Sequence, residues 1–243
     1  MRAPPAWRWL GRVPYAETLQ AQRAHREALA RGDAAEELWL LEHEPVVTTG
    51  RREVLDLDRD ALAARGIPVV PTERGGLATW HGPGQLVAYL LLDAGSRGWG
   101  ARALVATIED TVITWLAEQG LAERGLSAGR RAGLPGVWVG RDKLCAVGLH
   151  LSRGLTLHGL ALNLDPDLSA YGLFTPCGIT DGGVGSLARL LGRAPSPALA
   201  AAELGPRLAH ALRHAPDDPA ETAFVAPDAA SFPPVVDASG GGQ

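Results

Sequence analysis

The sequence predicts an α/β (α+β) domain built on a mixed sheet, and three observations carry that prediction. Strand-like runs cluster in the middle of the chain, with helical patterns between and after them. The regular strand–helix–strand alternation of a doubly wound sheet is missing. Residues 86–93 form an apolar run of strand length, as expected of a central strand, and 101–119 is the clearest amphipathic helix.

The elements follow in order. Tyr15–Arg31 reads as a surface helix ended by Gly32. Residues 37–41 and Val46–Thr49 read as strands parted by the Glu44-Pro45 turn. A short helix over 57–65 stops at Gly66, and a short strand covers 69–70. Residues 74–85 read as a glycine-dense loop containing Pro83. In 101–119, Leu104, Ile108, Val112 and Trp115 recur at i, i+4, i+8 and i+11, with Gly120 as the cap. Strands are predicted over 136–140, 143–150 and 156–163, the last two joined as a hairpin by Ser152-Arg153-Gly154. Residues 175–185 form a second glycine-rich loop, and 186–191 and 197–214 read as helices, with Ser186 an N-cap candidate. From 215 onward Pro, Ala, Asp and Gly dominate. The expectation is a domain over 1–214 and an acidic, disordered tail over 215–243.

Composition narrows the function. With 46% hydrophobic residues, the 243-residue chain can bury a large core. A net charge of −4 argues against a general nucleic-acid binder, which needs a basic stripe. No apolar run approaches the length needed to span a bilayer, and no signal-peptide pattern is visible, so a cytoplasmic protein is expected. In a reducing compartment a disulfide between Cys145 and Cys177 is not expected, and one or both should be free thiols. They lie 32 positions apart with no zinc-ligand spacing, so no metal is expected. Of 23 basic residues 22 are arginine; only Lys143 is lysine. Where arginine supplies every other positive charge, a retained lysine points to something arginine cannot do, namely lose a proton near neutral pH.

Three segments carry chemistry. In Arg74-Gly75-Gly76-Leu77-Ala78-Thr79-Trp80-His81-Gly82-Pro83-Gly84-Gln85 the glycines permit close backbone approach to a ligand, but their spacing matches neither phosphate-loop nor dinucleotide patterns. His81 taken alone reads more readily as a hydrogen-bonded structural histidine than as a catalyst. In Lys143-Leu144-Cys145-Ala146-Val147-Gly148, strand alternation places Lys143, Cys145, Val147 and Leu149 on one face. Lys143 then either snorkels from a strand end or is partly buried with a lowered pKa. In Phe174-Thr175-Pro176-Cys177-Gly178, Pro176 and Gly178 bracket the thiol in a tight turn, which exposes it; Cys145 lies among strand residues and reads as core. Cys177 is therefore the candidate nucleophile, with Lys143 and His81 the candidates for activating it.

These residues resemble a known family. RGGLATWHGPGQLVAY (74–89), KLCAVG (143–148), TLHGLALN (156–163) and TPCGI (175–179), with Leu41-Glu42-His43-Glu44-Pro45 before them, are similar to the lipoyl(octanoyl) transferases, also called lipoate–protein ligase B, over about 39–191. The resemblance implies the biotin- and lipoate-ligase catalytic fold, with a larger and a smaller sheet flanked by helices. It implies an octanoyl thioester on Cys177, Lys143 lowering the thiol's pKa and relaying protons, and His81 in support. The acyl site would be lined by Arg74, Gly75, Gly76, Leu77, Ala78, Thr79, Trp80 and His81, by Ala146, Val147 and Gly148, and by Gly159, Leu160 and Ala161. Two positions depart from the family pattern: Cys145 stands where a small Ala or Ser is usual, and Gly185 where Thr is frequent.

The implied reaction needs no cofactor. Octanoyl-acyl carrier protein is the donor. The acceptors are lysines on the lipoyl domains of 2-oxoacid dehydrogenases and on the glycine cleavage H protein. Backbone N–H groups near Gly178 or in Gly75–Gly76 are candidates for the oxyanion site. Arg51-Arg52 and Arg130-Arg131 are candidate docks for the acidic carrier. The alternative is an ATP-dependent lipoate/octanoate–protein ligase of the same fold, against which stands the location of the only lysine in the acyl-site motif.

Overall fold

The apolar run in the middle of the chain forms the spine of a large mixed sheet. A computed structural model of the protein describes residues 3–52, 54, 56–174 and 182–215. In chain order the elements are β1 (Ala6–Val13), α1 (Tyr15–Arg31), β2 (Glu37–His43), β3 (Val46–Thr49), α2 (Arg59–Ala64), β4 (Val69–Pro71), β5 (Ala78–His81) and β6 (Gln85–Leu91). Then follow α3 (Ala101–Glu118), β7 (Ala128–Arg131), β8 (Leu134–Val139), β9 (Asp142–Ser152), β10 (Leu155–Asn163), β11 (Gly183–Val184), α4 (Leu187–Leu191) and α5 (Pro197–Ala211). The large sheet runs β1-β2-β6-β10-β9-β8-β7, with β11 alongside β9; the small sheet runs β4-β3-β5. Pairs β1–β2, β3–β4 and β9–β11 are parallel and the rest antiparallel. The mixed α/β class with a larger and a smaller sheet is the one expected.

Most expected elements appear, with four differences. β1 was unforeseen: it is a half-exposed edge strand whose Arg8 and Arg12 interrupt any apolar run, as edge strands commonly do. β5 occupies the expected glycine loop, because all four of its residues are buried and pair with β3. β7 is a four-residue edge strand ending in Arg130 and Arg131. β11 lies in the second glycine-rich loop, paired with Asp142 and Lys143. The Arg153-Gly154 turn has φ of 52° and 80°, the left-handed pair that a two-residue hairpin requires. Ser186 caps α4 by accepting the Arg189 amide. The expected tail, apart from Ala215, lies outside the described residues, as does Cys177.

The sheet buries both faces. On one, α3 and α5 cover Leu38, Leu86, Leu90, Leu160 and Leu162, with Leu104, Ile108, Val112 and Trp115 pointing in as predicted. On the other, α1 covers Leu41, Val87, Tyr89 and Leu157. A third cluster, with Val47, Leu62, Ala78, Trp80 and Phe174, lies under the small sheet.

Three histidines are buried in and beside the second core. Val13 O accepts a hydrogen bond from His43 Nδ1 (2.9 Å), so His43 Nε2 accepts from the Tyr89 hydroxyl (2.6 Å). Burial pushes His43 and His158 each down to about 4, and His81 well below its ordinary value. Unfolded, each protonates near 6.5. Between these values the unfolded chain holds more protons, so stability falls as pH drops from about 6.5 toward 4. Glu109, raised by burial, opposes them, while Glu73, held near 2 by its bond to Arg23, loses its contribution only below its unfolded value of about 4.5. Near pH 5 the three histidines together take up about three protons on unfolding, a total that Glu109 lowers, and the uptake is seen as a falling Tm. His43→Gln should cut that slope by about one proton; a Tm flat between pH 7 and 5 would count against the buried neutral rings.

Candidate active site

The site begins with an irregularity in β9. Val137 pairs with Cys145 but Trp138 with Lys143, so Leu144 is an extra residue, a β-bulge. The bulge breaks the expected alternation. Leu144 and Cys145 both enter the core, and Lys143 lines a cavity. The prediction that Lys143 and Cys145 share a face is thereby corrected. Lys143 is only 6% exposed. Its Nζ donates to Pro135 O at 3.0 Å and lies 4.8 Å from the centre of the Trp138 ring. Cys145 is fully buried, and burial pushes its thiol up to about 12, so it packs as an inert apolar residue, as expected.

The opposite wall comes from the first glycine-rich segment. Arg51 N donates to Arg74 O and Gly75 N to Leu149 O, which clamps 74–76 between the small sheet and β9. The second bond engages the Gly75 amide, one of the donors considered for an oxyanion. Arg74 is buried and lies along the cavity; its guanidinium donates to Thr48 O, Thr48 Oγ1 and Gly75 O at 2.6–3.2 Å. In β5 the period of two divides the side chains: Thr79 and His81 face the cavity, while Ala78 and Trp80 face the core under the small sheet. Leu77, in the turn before β5, is not part of the cavity wall either.

His81 belongs to a continuous polar chain. Gln85 Nε2 donates to Trp80 O and to Asn163 Oδ1, so its Oε1 accepts from His81 Nδ1 at 2.8 Å. His81 Nε2 then takes the acceptor role toward Thr48 Oγ1, 3.4 Å away. At the far end Asn163 Nδ2 donates to Gly185 O at 2.9 Å. His81 is neutral, being held well below its ordinary value by burial first and by neighbouring His43 second.

Between these walls lies a cavity of about 380 Å³. Arg74, Gly75, Gly76, Thr79 and His81 meet Lys143, Ala146, Val147, Gly148, Gly159, Leu160 and Ala161 around it. Leu104 and Val105 of α3 and Leu134 and Pro135 of β8 add apolar wall. The sequence reading missed His158, Tyr15 and Tyr89, which also line it. His158 has φ of +63° within β10, an unusual conformation for a side chain with a Cβ. Its one signal in the sequence is a histidine set among apolar residues of a strand. Arg51 and Arg52 are exposed and stand on the cavity wall. By contrast Arg130 pairs with Glu109 and Asp110, and Arg131 stacks on Trp138 with its guanidinium 4.5 Å from the ring centre. Among the described residues no His/Cys/Asp/Glu group suits a metal ion, and no helix is long and apolar enough to cross a membrane.

Residues 14–209 match the family model described as the lipoyl protein ligase A/B catalytic domain. An octanoyltransferase of Chloroflexus aurantiacus is 45% identical over 206 residues, covering 82% of this chain and 88% of that protein. Among solved structures, a putative lipoate protein ligase from Thermoplasma acidophilum superposes with a TM-score of 0.59 at 17% identity, covering 90% of this chain and 85% of that one. A biotin protein ligase from Aquifex aeolicus gives 0.51 at 14% identity, covering 85% and 70%. At such identities the structures speak for the fold alone. The family match and the close relative go further: the chain belongs to the lipoyl protein ligase A/B catalytic domain family and is an acyltransferase.

Proposed function

We propose that this chain transfers an octanoyl group in lipoate biosynthesis. The donor is octanoyl-acyl carrier protein and the acceptor the ε-amine of a lysine on lipoyl domains of 2-oxoacid dehydrogenases and on the glycine cleavage H protein. The transfer passes through a thioester on Cys177. The observation that carries this reading is a largely apolar cavity with the chain's only lysine buried in its wall. An octanoyl tail has six methylenes, and burying them stabilises the bound state by about 5 kcal/mol at ~0.8 kcal/mol each. Cys177 lies outside the described residues. Val184, seven positions after it, pairs with Lys143, and Gly185 N donates to Lys143 O. Both contacts support bringing that segment to the lysine. The catalytic unit in this reading is residues 1–214, acting in the cytoplasm without a cofactor.

The steps balance as follows. Lys143 takes the Cys177 proton, and the thiolate attacks the donor thioester. The new C–S bond forms as the old one breaks, and the departing carrier thiolate recovers the proton. The acceptor amine then attacks the acyl-enzyme: a C–N bond forms, the C–S bond breaks, and neutral Lys143 receives the amine's proton. His81, neutral and held through Gln85, supports the wall rather than moving the proton.

Mixing the protein with octanoyl-acyl carrier protein should raise its intact mass by one octanoyl group. Cys177→Ala should abolish that increase, and an equally labelled variant would refute the thioester. Lys143→Arg keeps the charge but cannot accept the proton, so transfer should fall by about 10²-fold or more. Near-normal turnover would remove Lys143 from the mechanism. Of the two arginine pairs, only Arg51-Arg52 has both side chains exposed. Reversing their charge should raise KM for the carrier about 3–10-fold, and less so in high salt, with kcat little changed; an unaltered KM would dismiss them as a dock.

A further inference from the structure

One peptide group stands between Lys143 and a buried carboxylate. On one side, the carbonyl of Pro135 accepts from Lys143 Nζ at 3.0 Å. On the other, the N–H of the same peptide, that of Gly136, donates to Glu109 Oε1 at 2.6 Å. Glu109 comes from α3, is 6% exposed, and places its second oxygen 3.0 Å from Arg130 Nε. Gly136 has φ of +130°, and a Cβ there would meet Cys145 O at 2.3 Å and Lys143 Cε at 3.3 Å. The glycine is thus needed for the backbone angle and for room along the lysine stem. It also leaves a peptide that turns easily unless something holds it.

We infer that Glu109 is a positioning residue for Lys143, acting through the Pro135–Gly136 peptide. A buried N–H without an acceptor is costly. With Glu109 gone, the peptide rotates to find another partner and carries the Pro135 carbonyl away from the amine. Lys143 then loses one of the contacts that hold Nζ at the cavity wall. The inference rests on the proposed role of Lys143 in proton transfer, but its structural half does not depend on Cys177.

The chain's single lysine makes the test direct: lysine labelled at Cε and Nζ gives one NMR resonance, that of Lys143. In Glu109→Ala that resonance should move toward its position in unfolded chain. Acylation by octanoyl-acyl carrier protein, read in single turnover, should slow about 10–100-fold, with KM for the carrier within about 3-fold. Glu109→Gln keeps an acceptor oxygen for Gly136 and should restore both the resonance and most of the rate. Glu109→Asp withdraws the oxygen from Gly136 but keeps the charge, and covers the case in which the alanine variant does not fold; it too must shift the resonance and slow the reaction. Unchanged resonance or unchanged rate in a folded Ala or Asp variant would overturn the inference, as would a Gln variant as slow as Ala. If the unsubstituted protein is not acylated at all, the thioester reading fails instead, and the resonances alone decide the role of Glu109.

Discussion

Everything at this site depends on the burial of one amine. An ammonium taken out of water costs several kcal/mol unless polar groups replace its hydration. Among the groups that meet that demand for Lys143 are a peptide carbonyl and an aromatic face. A carbonyl is a weaker partner for a cation than a carboxylate. Behind that carbonyl, the buried carboxylate of Glu109 is engaged with Gly136 N and Arg130. A carbonyl and a ring hold the amine at the cavity wall, which is where the proposed proton transfer would need it.

The second constraint is that the cavity lies between two sheets that have to keep their spacing. Strand β5 of the small sheet leads into β6 of the large one through Gly82-Pro83-Gly84. Gly84, at φ of +84°, is pressed so closely against Asp165 that a Cβ would meet its carbonyl oxygen at 2.3 Å. The buried chain from Arg74 through Thr48, His81, Gln85 and Asn163 to Gly185 O then ties both sheets to the segment beside Lys143. Every donor in it has a definite direction, so the sheets cannot slide without breaking several buried bonds together. His81 is explained by this chain. It is a neutral linker whose histidine character supplies one donor and one acceptor on opposite sides of a flat ring.

Periodicity revealed the core and the motifs named most of the cavity wall, while short-range exceptions hid how that wall is built. The spacing of Leu104, Ile108, Val112 and Trp115 gave α3 its buried face, and the turn residues Arg153-Gly154 gave the β9–β10 hairpin. The bulge at Leu144 was not legible, because one extra residue in a strand leaves no mark in an otherwise apolar stretch. Its effect was nonetheless decisive, since it moved Lys143 off the core face and into the cavity. β5 was hidden for a similar reason: four residues between glycines are too few for a period to emerge, and only pairing with β3 makes them a strand. His158 was passed over because its left-handed backbone is a tertiary fact, imposed where Gln22 accepts its N–H across the layer.

The small residues of the motifs have a physical reading beyond flexibility. Gly148 and Gly159 face each other across β9 and β10, flanked by the paired Ala146 and Ala161. Gly75 and Gly76 lie over them from the loop. At Gly159 a Cβ would come 2.0 Å from Ala88 O, so the sheet itself demands the missing side chain there. At Gly148 a Cβ would lie 3.4 Å from Arg74 Cδ and 3.6 Å from Gly75 O, on the side where the loop crosses the strand. Small residues on two adjacent strands and a facing loop thus meet along one part of the cavity wall. The walls of larger residues, Leu104, Val105, Leu134 and Leu160, supply the apolar contact. In a sheet otherwise packed on both faces, the glycine-rich motifs bring these small residues to one place, and that placement is what the motifs encode.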